Sequence, residues 1–206
     1  MTNIVHNIDC MEGMKQFPDK HFELAVVDPE FGIGIGKSHR LVTDKGLKAK
    51  SWDDKPIDMN YFNELFRISK HQIIWGGNYY SLPGNKHCII WDKLQPESMS
   101  FGMFDYAWTS FDGANKMYRY SVQKESNKIH PTQKPIALYD WILKNYSNPG
   151  DKILDTHVGS GSSRIAAHKA GLDFTGYEID TEYWEAQEKR YNIFKSQLTI
   201  NFKITC

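Results

Sequence analysis

The sequence predicts an α/β fold around a mostly parallel sheet, and three observations point to it. Phe22–Val27, Gln72–Trp75 and Cys88–Trp91 are short, nearly unbroken apolar runs, which is how strands buried on both faces read. Between such runs lie segments of helical spacing, of which Met59–Ser69 is the clearest, with Phe62, Leu65, Phe66 and Ile68 along one face. Further on, a strand at Lys152–Leu154 leads into a glycine-rich turn, a helix, a second strand and an acid. That order is the pattern of a nucleoside-binding βαβ unit.

Composition narrows the class. At 206 residues the chain holds one good-sized core and is short for two, so a single domain over 1–206 is expected. The 25 Lys and Arg equal the 25 Asp and Glu, so affinity for a polyanion has to come from local clusters. Cys10, Cys88 and Cys206 are odd in number, far apart and without a CxxC pair. This argues against a disulfide framework or a metal site and for a reduced, cytoplasmic setting. Residues 1–10 lack a basic stretch followed by an apolar one, and no run is long enough to span a bilayer, so no membrane partner is expected.

Taken in order, Asn3–Ile8 reads as a strand ended by Asp9-Cys10, and a helix follows through Met14–Phe17. Pro18-Asp19-Lys20 then turns the chain into Phe22–Val27. That run stops at Asp28-Pro29, because proline has no N–H to give a sheet ladder. Asp28, the carbonyl of Pro29 and the ring of Phe31 are thereby placed at the carboxyl end of a buried strand, where the ligand crevice of an open α/β sheet lies. A carboxylate and a carbonyl can each accept a hydrogen bond from a ring-borne amine, and an aromatic face can stack on the ring. The same residues also fit an ordinary Asp-Pro turn. Gly32–Ser38 (G-I-G-I-G-K-S) invites a phosphate-loop reading, but Phe31 stands where the first glycine is needed, so a flexible loop is expected. Lys37, Arg40, Lys45, Lys48 and Lys50, against Asp44 alone, make a basic segment that is either a solvated loop or a phosphate-contacting one.

The runs at Gln72–Trp75 and Cys88–Trp91 end on tryptophan and then turn polar. Trp75, Asn78, Trp91, Asp92 and Lys93 therefore rim the same crevice, unless the two tryptophans fill the core. Asp105–Ser110 reads as another strand. Ala114–Lys128 interleaves Lys116, Arg119, Lys124 and Lys128 with Tyr118 and Tyr120, a mixture that suits a nucleic-acid surface. His130–Pro135 (H-P-T-Q-K-P) is an extended entry into a helix over Ile136–Tyr146, with Pro135 at its first turn. The strand that follows ends at Asp155, and T-H-V-G-S-G-S-S leads into a helix from Ser162 to Ala170 capped by Gly171. Phe174–Tyr177 is the next strand, and Glu178 at its end can accept hydrogen bonds from both hydroxyls of a ribose. A dinucleotide fingerprint would place a third glycine at 164; Arg164 stands there, so the loop suits adenosine without a pyrophosphate. The last helix, Thr181–Gln197, is acidic at its start and basic later, as the helix dipole favours.

With these residues in view the chain resembles the S-adenosylmethionine-dependent DNA amino-methyltransferases of the β class. D-P-E-F at Asp28–Phe31 sits where the family has DPPY, and H-P-T-Q-K-P is similar to a motif beside the cofactor. D-T-H-V-G-S-G at Asp155–Gly161 matches DPFxGSG in part, and G-Y-E-I-D at Gly176–Asp180 matches the ribose-binding acid. Asp9 falls where an acid contacts the cofactor's adenine, and the catalytic motif precedes the cofactor motif, as in that class. The resemblance implies a Rossmann-like methyltransferase sheet with S-adenosylmethionine held by Asp9, Thr132, Lys134, Asp155, Thr156, Gly159, Ser160, Gly161 and Glu178. It implies that Asp28, Pro29, Glu30 and Phe31 receive the exocyclic amine of a base rotated out of double-stranded DNA, adenine N6 before cytosine N4 or an RNA base. Recognition segments are expected at about 37–56 and 110–129, with Lys37, Arg40, Lys93, Lys116 and Arg119 against the nucleic acid, on a monomer or homodimer.

Four positions depart from the family pattern. Phe31 keeps the stacking face of tyrosine and loses a hydroxyl. Glu30 replaces a proline, relaxing a turn and adding a negative charge where a nucleic-acid strand approaches. Thr156-His157 replaces Pro-Phe. A methyltransferase-like chain that holds cofactor and nucleic acid without turnover is the alternative these departures raise.

Overall fold

A computed structural model describes residues 1–37, 49–99, 102–124 and 128–204, with side chains as far as residue 197. Its strands are β1 (Asn3–His6), β2 (Phe22–Val27), β3 (Ser69–Trp75), β4 (Cys88–Asp92), β5 (Phe104–Thr109), β6 (Lys116–Arg119), β7 (Lys152–Asp155) and β8 (Asp173–Tyr177). Its helices are α1 (Cys10–Met14), α2 (Met59–Ile68), α3 (Ile136–Tyr146), α4 (Ser162–Lys169) and α5 (Thr181–Ile204). No described helix is long and apolar enough to cross a membrane.

The strands form one eight-stranded sheet in the order β1-β8-β7-β2-β3-β5-β4-β6. Neighbours from β1 to β3 pair in parallel, β5 runs antiparallel to both β3 and β4, and β6 adds in parallel to β4. The carboxyl ends of β1, β8, β7, β2, β3, β4 and β6 therefore leave the sheet along one edge. The unbroken apolar runs are explained by burial on both faces. Leu24 and Val26 of β2 pack with Leu138, Tyr139, Ile142 and Leu143 of α3 and Ala166 and Ala167 of α4. Ala25 and Val27, pointing the other way, pack with Tyr61, Phe62, Leu65 and Ile68 of α2.

Local chemistry moves several boundaries from those expected. β3 begins at Ser69, directly after α2, because Ser69 takes an extended conformation (φ −120°, ψ 145°) while its hydroxyl donates to the Leu65 carbonyl at 2.5 Å. β6 is a strand where only a basic, aromatic segment was foreseen. Its alternation is masked by exposed Lys116, Met117 and Arg119, and Tyr118 packs against Trp141 of α3 at 5.4 Å. Trp75 and Trp91 are core residues, 0% and 2% exposed, and do not rim the crevice. Arg164, at the position that excludes a dinucleotide loop, is buried and bonds Asn3 Oδ1 (2.7 Å), Gln187 Oε1 (2.9 Å) and Glu188 Oε1 (2.5 Å). It ties α4 to β1 and α5.

Gly176 in β8 is set by packing alone: a Cβ there would lie 2.5 Å from Val158 Cγ2 and 2.9 Å from the Phe174 ring. Gly176→Ala is expected to cost about 1–3 kcal/mol. That is a melting temperature lower by roughly 2–4 °C per kcal/mol for a chain of this size, read by thermal unfolding with circular dichroism.

Candidate functional site

Because β2 and β7 are parallel neighbours, with Leu24 opposite Ile153 and Ala25 opposite Leu154, Asp28 and Asp155 emerge side by side on the crevice edge. Glu178 follows the next strand along, β8, and Asp9 follows β1 beyond it. Two loops face each other here, the acceptor loop 28–31 and the glycine loop 155–161.

In the acceptor loop, Asp28 Oδ2 is ion-paired with Lys134 Nζ, and Asp28 Oδ1 is shut off from solvent with no hydrogen-bond partner among the described residues. Burial pushes the carboxyl up from its ordinary value, and the Lys134 ammonium only partly offsets this. Lys134 is itself buried and lies over the Trp75 ring at 5.3 Å. The Tyr80 hydroxyl is 3.0 Å from the carbonyl oxygens of both Pro29 and Glu30 and donates to them. Burial, and then the carboxylates of Asp28 and Glu30, raise Tyr80 so that it stays a donor. Phe31 stacks on Tyr79 at 4.9 Å with an interplanar angle of 11°, so one of its faces is covered. Gly76, at φ +68°, makes room for the ring: a Cβ there would sit 2.1 Å from Phe31 Cε1. Asp53 holds the chain after Phe31 by accepting from the N–H of Gly32 (2.8 Å) and Ile35 (2.9 Å).

The glycine loop is braced from within. Asp155 accepts the Ser163 hydroxyl at 2.5 Å and the backbone N–H of His157 at 3.0 Å, so both of its oxygens serve the loop. Burial raises its carboxyl to about 6, partly offset by the Ser163 bond. Thr156 Oγ1 meets the Tyr61 hydroxyl at 2.5 Å and His157 Nδ1 at 2.9 Å. Ser160 accepts Arg190 on its carbonyl at 2.8 Å, and Gly161, at φ +76°, precedes α4. Gly159, at φ +51°, has no heavy atom closer to a would-be Cβ than the His130 ring at 3.6 Å, leaving its backbone open to approach. Glu178 accepts the N–H of Gly159 (2.8 Å) and of Asp180 (2.9 Å). A carboxylate offers about four acceptor positions, so lone pairs remain for a diol.

The run 130–135 joins the two loops. Lys134 reaches the acceptor loop, while the His130 ring lies beside Gly159, Trp52 (5.4 Å) and Tyr183 (4.4 Å). Thr132 Oγ1 is 3.1 Å from His130 Nδ1. Burial, helped by the Lys134 charge, lowers His130 to about 3 and keeps it neutral. Asp9 is exposed and caps α1 through the Met11 N–H at 2.7 Å.

The expected nucleic-acid residues divide. Lys93 and Arg119 lie at the crevice ends of β4 and β6, with Lys37 in the loop beyond β2; their acidic neighbours are Asp105, Asp92 and Asp54. Lys116 begins β6, on the opposite edge, with its ammonium 5.1 Å from the Tyr146 ring centroid, so it does not line the crevice. Arg40 lies outside the described residues. Sequence reasoning missed Tyr80, Tyr79 and Asp53, whose only signal was their place in polar stretches on either side of strands. The Lys134 ammonium, expected at the cofactor, is ion-paired with Asp28. The Glu30 carboxylate, expected near the amine, is instead on His157, 3.3 Å away.

Sheet order and loop chemistry together define a Rossmann-like methyltransferase fold. The M1.HpyAVI–SAM complex shares it with a TM-score of 0.60, over 90% of this chain and 98% of that one at 18% identity. The PvuII cytosine-N4-specific DNA methyltransferase shares it with a TM-score of 0.64, over 95% and 92% at 14% identity. The DNA methylase family model (N6_N4_Mtase) matches residues 59–189. The DNA adenine methyltransferase YhdJ of Escherichia coli (strain K12) is 40% identical over 92% of this chain and 82% of its own. The type II methyltransferase M1.MboII of Moraxella bovis is 33% identical over 97% and 98%. The chain belongs to this N6/N4 DNA methylase family, whose methyl donor and cofactor is S-adenosylmethionine.

Asp155 supplies a test of the loop's electrostatics. Its folded value of about 6 lies above the ordinary 3.8, so the unfolded chain releases this proton first and the ionised group costs stability as pH rises toward and past 6. Relative to Asp155→Asn, the parent should gain stability in urea titrations as pH falls from 7 to 5.

Proposed function

We propose that the chain moves a methyl group from S-adenosylmethionine to the N6 amine of an adenine rotated out of duplex DNA. The observation that carries this reading is the half-paired carboxylate of Asp28: one oxygen neutralised by Lys134, the other buried and without a partner among the described residues. An unmet buried acceptor at the end of a strand favours an N–H donor arriving with the ligand. The amine of adenine offers two. One is accepted by Asp28 Oδ1 and the other by the Pro29 carbonyl, which keeps a lone pair after accepting from Tyr80. Both bonds draw the nitrogen lone pair out of conjugation with the ring and aim it across the crevice. The base stacks on the face of Phe31 that Tyr79 leaves uncovered.

The residues opposite fit the cofactor. Glu178 has acceptor positions left for the ribose hydroxyls, Gly159 leaves its backbone open for close approach, and Asp9 lies on the adenine side. Asp155, Thr156, Ser160 and Thr132 shape the cradle through the bonds already described. S-adenosylmethionine supplies an electrophilic methyl on a sulfonium. The protein's part is to hold the amine within in-line reach of it and to exclude water.

Adenine is favoured over cytosine by the D-P-x-aromatic form of the motif and by the 40% identity to an adenine methyltransferase. The recognition segments proposed are 37–56 and 110–129. Lys37, Lys93 and Arg119 exchange their carboxylate partners for phosphates when DNA binds, which limits the net electrostatic gain.

Purified protein with labelled S-adenosylmethionine and duplex DNA should yield N6-methyladenine on nucleoside analysis. Asp28→Ala should lower the rate about a hundredfold or more while leaving cofactor binding measurable by calorimetry. Transfer unaffected by Asp28→Ala overturns the reading, and N4-methylcytosine as the product replaces the acceptor.

A further inference from the structure

Glu30 and His157 are the two residues that most disturb the resembled motifs, and they meet. His157 Nε2 lies 3.3 Å from Glu30 Oε2, with 16% and 23% of the side-chain surfaces exposed. The contact continues on both sides. His157 Nδ1 is 2.9 Å from Thr156 Oγ1, which is 2.5 Å from the Tyr61 hydroxyl of α2, and the Glu30 carbonyl is held by Tyr80. One chain of polar side chains thus runs from α2 across the glycine loop to the acceptor loop.

A proline at position 30 would fix the backbone by its ring; glutamate does not. An ion pair between two largely buried groups can supply the missing constraint, because it is satisfied in one geometry only. It is costly when one partner is lost and close to neutral when both give way to well-packed apolar groups. We infer that Glu30 and His157 form a clasp that sets the acceptor loop against the glycine loop, and that both are positioning residues for methyl transfer. The inference rests on the function proposed above, since that function assigns the amine to one loop and the methyl donor to the other.

The electrostatics agree with this placement. Besides Glu30, His157 faces Cys10 of α1, the Tyr61 ring at 5.4 Å, and Asp155, which accepts its backbone N–H; its charge also acts on Asp28 and Glu178. Burial opposes the imidazolium, and Glu30 with Cys10 outweighs it, holding His157 well above its ordinary 6.5. Burial raises Glu30 and His157 more than reverses this, holding it below 4.5. The pair is therefore intact between those two ordinary values, and is lost as pH falls through Glu30's lowered value or rises through His157's raised one.

The test is a double-variant cycle on the full chain with Glu30→Pro, His157→Phe and the two combined, and Glu30→Gln as a variant of unchanged size. Each single change should lower kcat about tenfold to a hundredfold with KM for DNA little moved, and weaken S-adenosylmethionine binding several-fold. The combined variant should recover most of both losses, and it should lack the fall in kcat at high pH that the parent and Cys10→Ser show. Losses that multiply in the combined variant, or single variants that match the parent, overturn the clasp. A parent that transfers no methyl group overturns the proposed function instead. The clasp is then decided by cofactor affinity across the four proteins and by the His157 imidazole titration in nuclear magnetic resonance. Equal affinities, or a titration unmoved by Glu30→Gln, overturn it.

Discussion

Parallel pairing of β2 with β7 is the constraint on which the rest depends. It is a short contact, Leu24 with Ile153 and Ala25 with Leu154, between strands far apart along the chain. Parallel strands must deliver their carboxyl ends to the same edge, so the residue that stops each strand becomes a neighbour of the other. Were the pairing antiparallel, Asp28 and Asp155 would leave on opposite sides and no crevice would contain both. The apolar contacts of α2 on one face and of α3 and α4 on the other hold this pairing in place. Burial of aliphatic surface in the sheet thereby fixes the geometry of polar chemistry at its rim.

The rim's charges are organised as pairs that cross between elements. Lys134 comes from the run before α3 and serves β2; His157 comes from the loop after β7 and serves the acceptor loop; Lys50 reaches Asp180 at 2.5 Å and Glu182 at 3.0 Å at the start of α5. Beside them Asp28 Oδ1 has no partner among the described residues. A buried acceptor left without a partner beside carboxylates that are all engaged is the exception that the proposed reading explains.

Much of this was legible in the sequence, and the part that was not has a physical reason. Apolar runs and helical spacing showed most strands and helices, because burial on two faces leaves a periodic mark. Asp28, Gly159 and Glu178 could be placed at strand ends and in the glycine turn because such positions carry local signatures. Side-chain pairing carries none: nothing in the string tells Lys134 to seek Asp28, or makes two separate departures, at 30 and 157, answer each other. β6 was missed because three of its four residues are exposed, so its alternation is polar on the side that sequence patterns read. Trp75 and Trp91 illustrate the converse. A bulky ring at a strand end is compatible with core or rim, and only the packing of α3 decides.

Main-chain contacts join the stretch after β2 to residues 50–56. Gly34 donates to the Asp53 carbonyl at 2.8 Å, Lys50 to the Gly36 carbonyl at 3.0 Å, and Phe31 bridges to Pro56. Residues 31–36 are thus tied to residues 50–56 by main-chain contacts. The free energy of closing such a loop grows only with the logarithm of its length, about 0.6 kcal/mol for each doubling. The chain between the two tied stretches can therefore change in length at little cost while Asp53 keeps its hold on the backbone after Phe31.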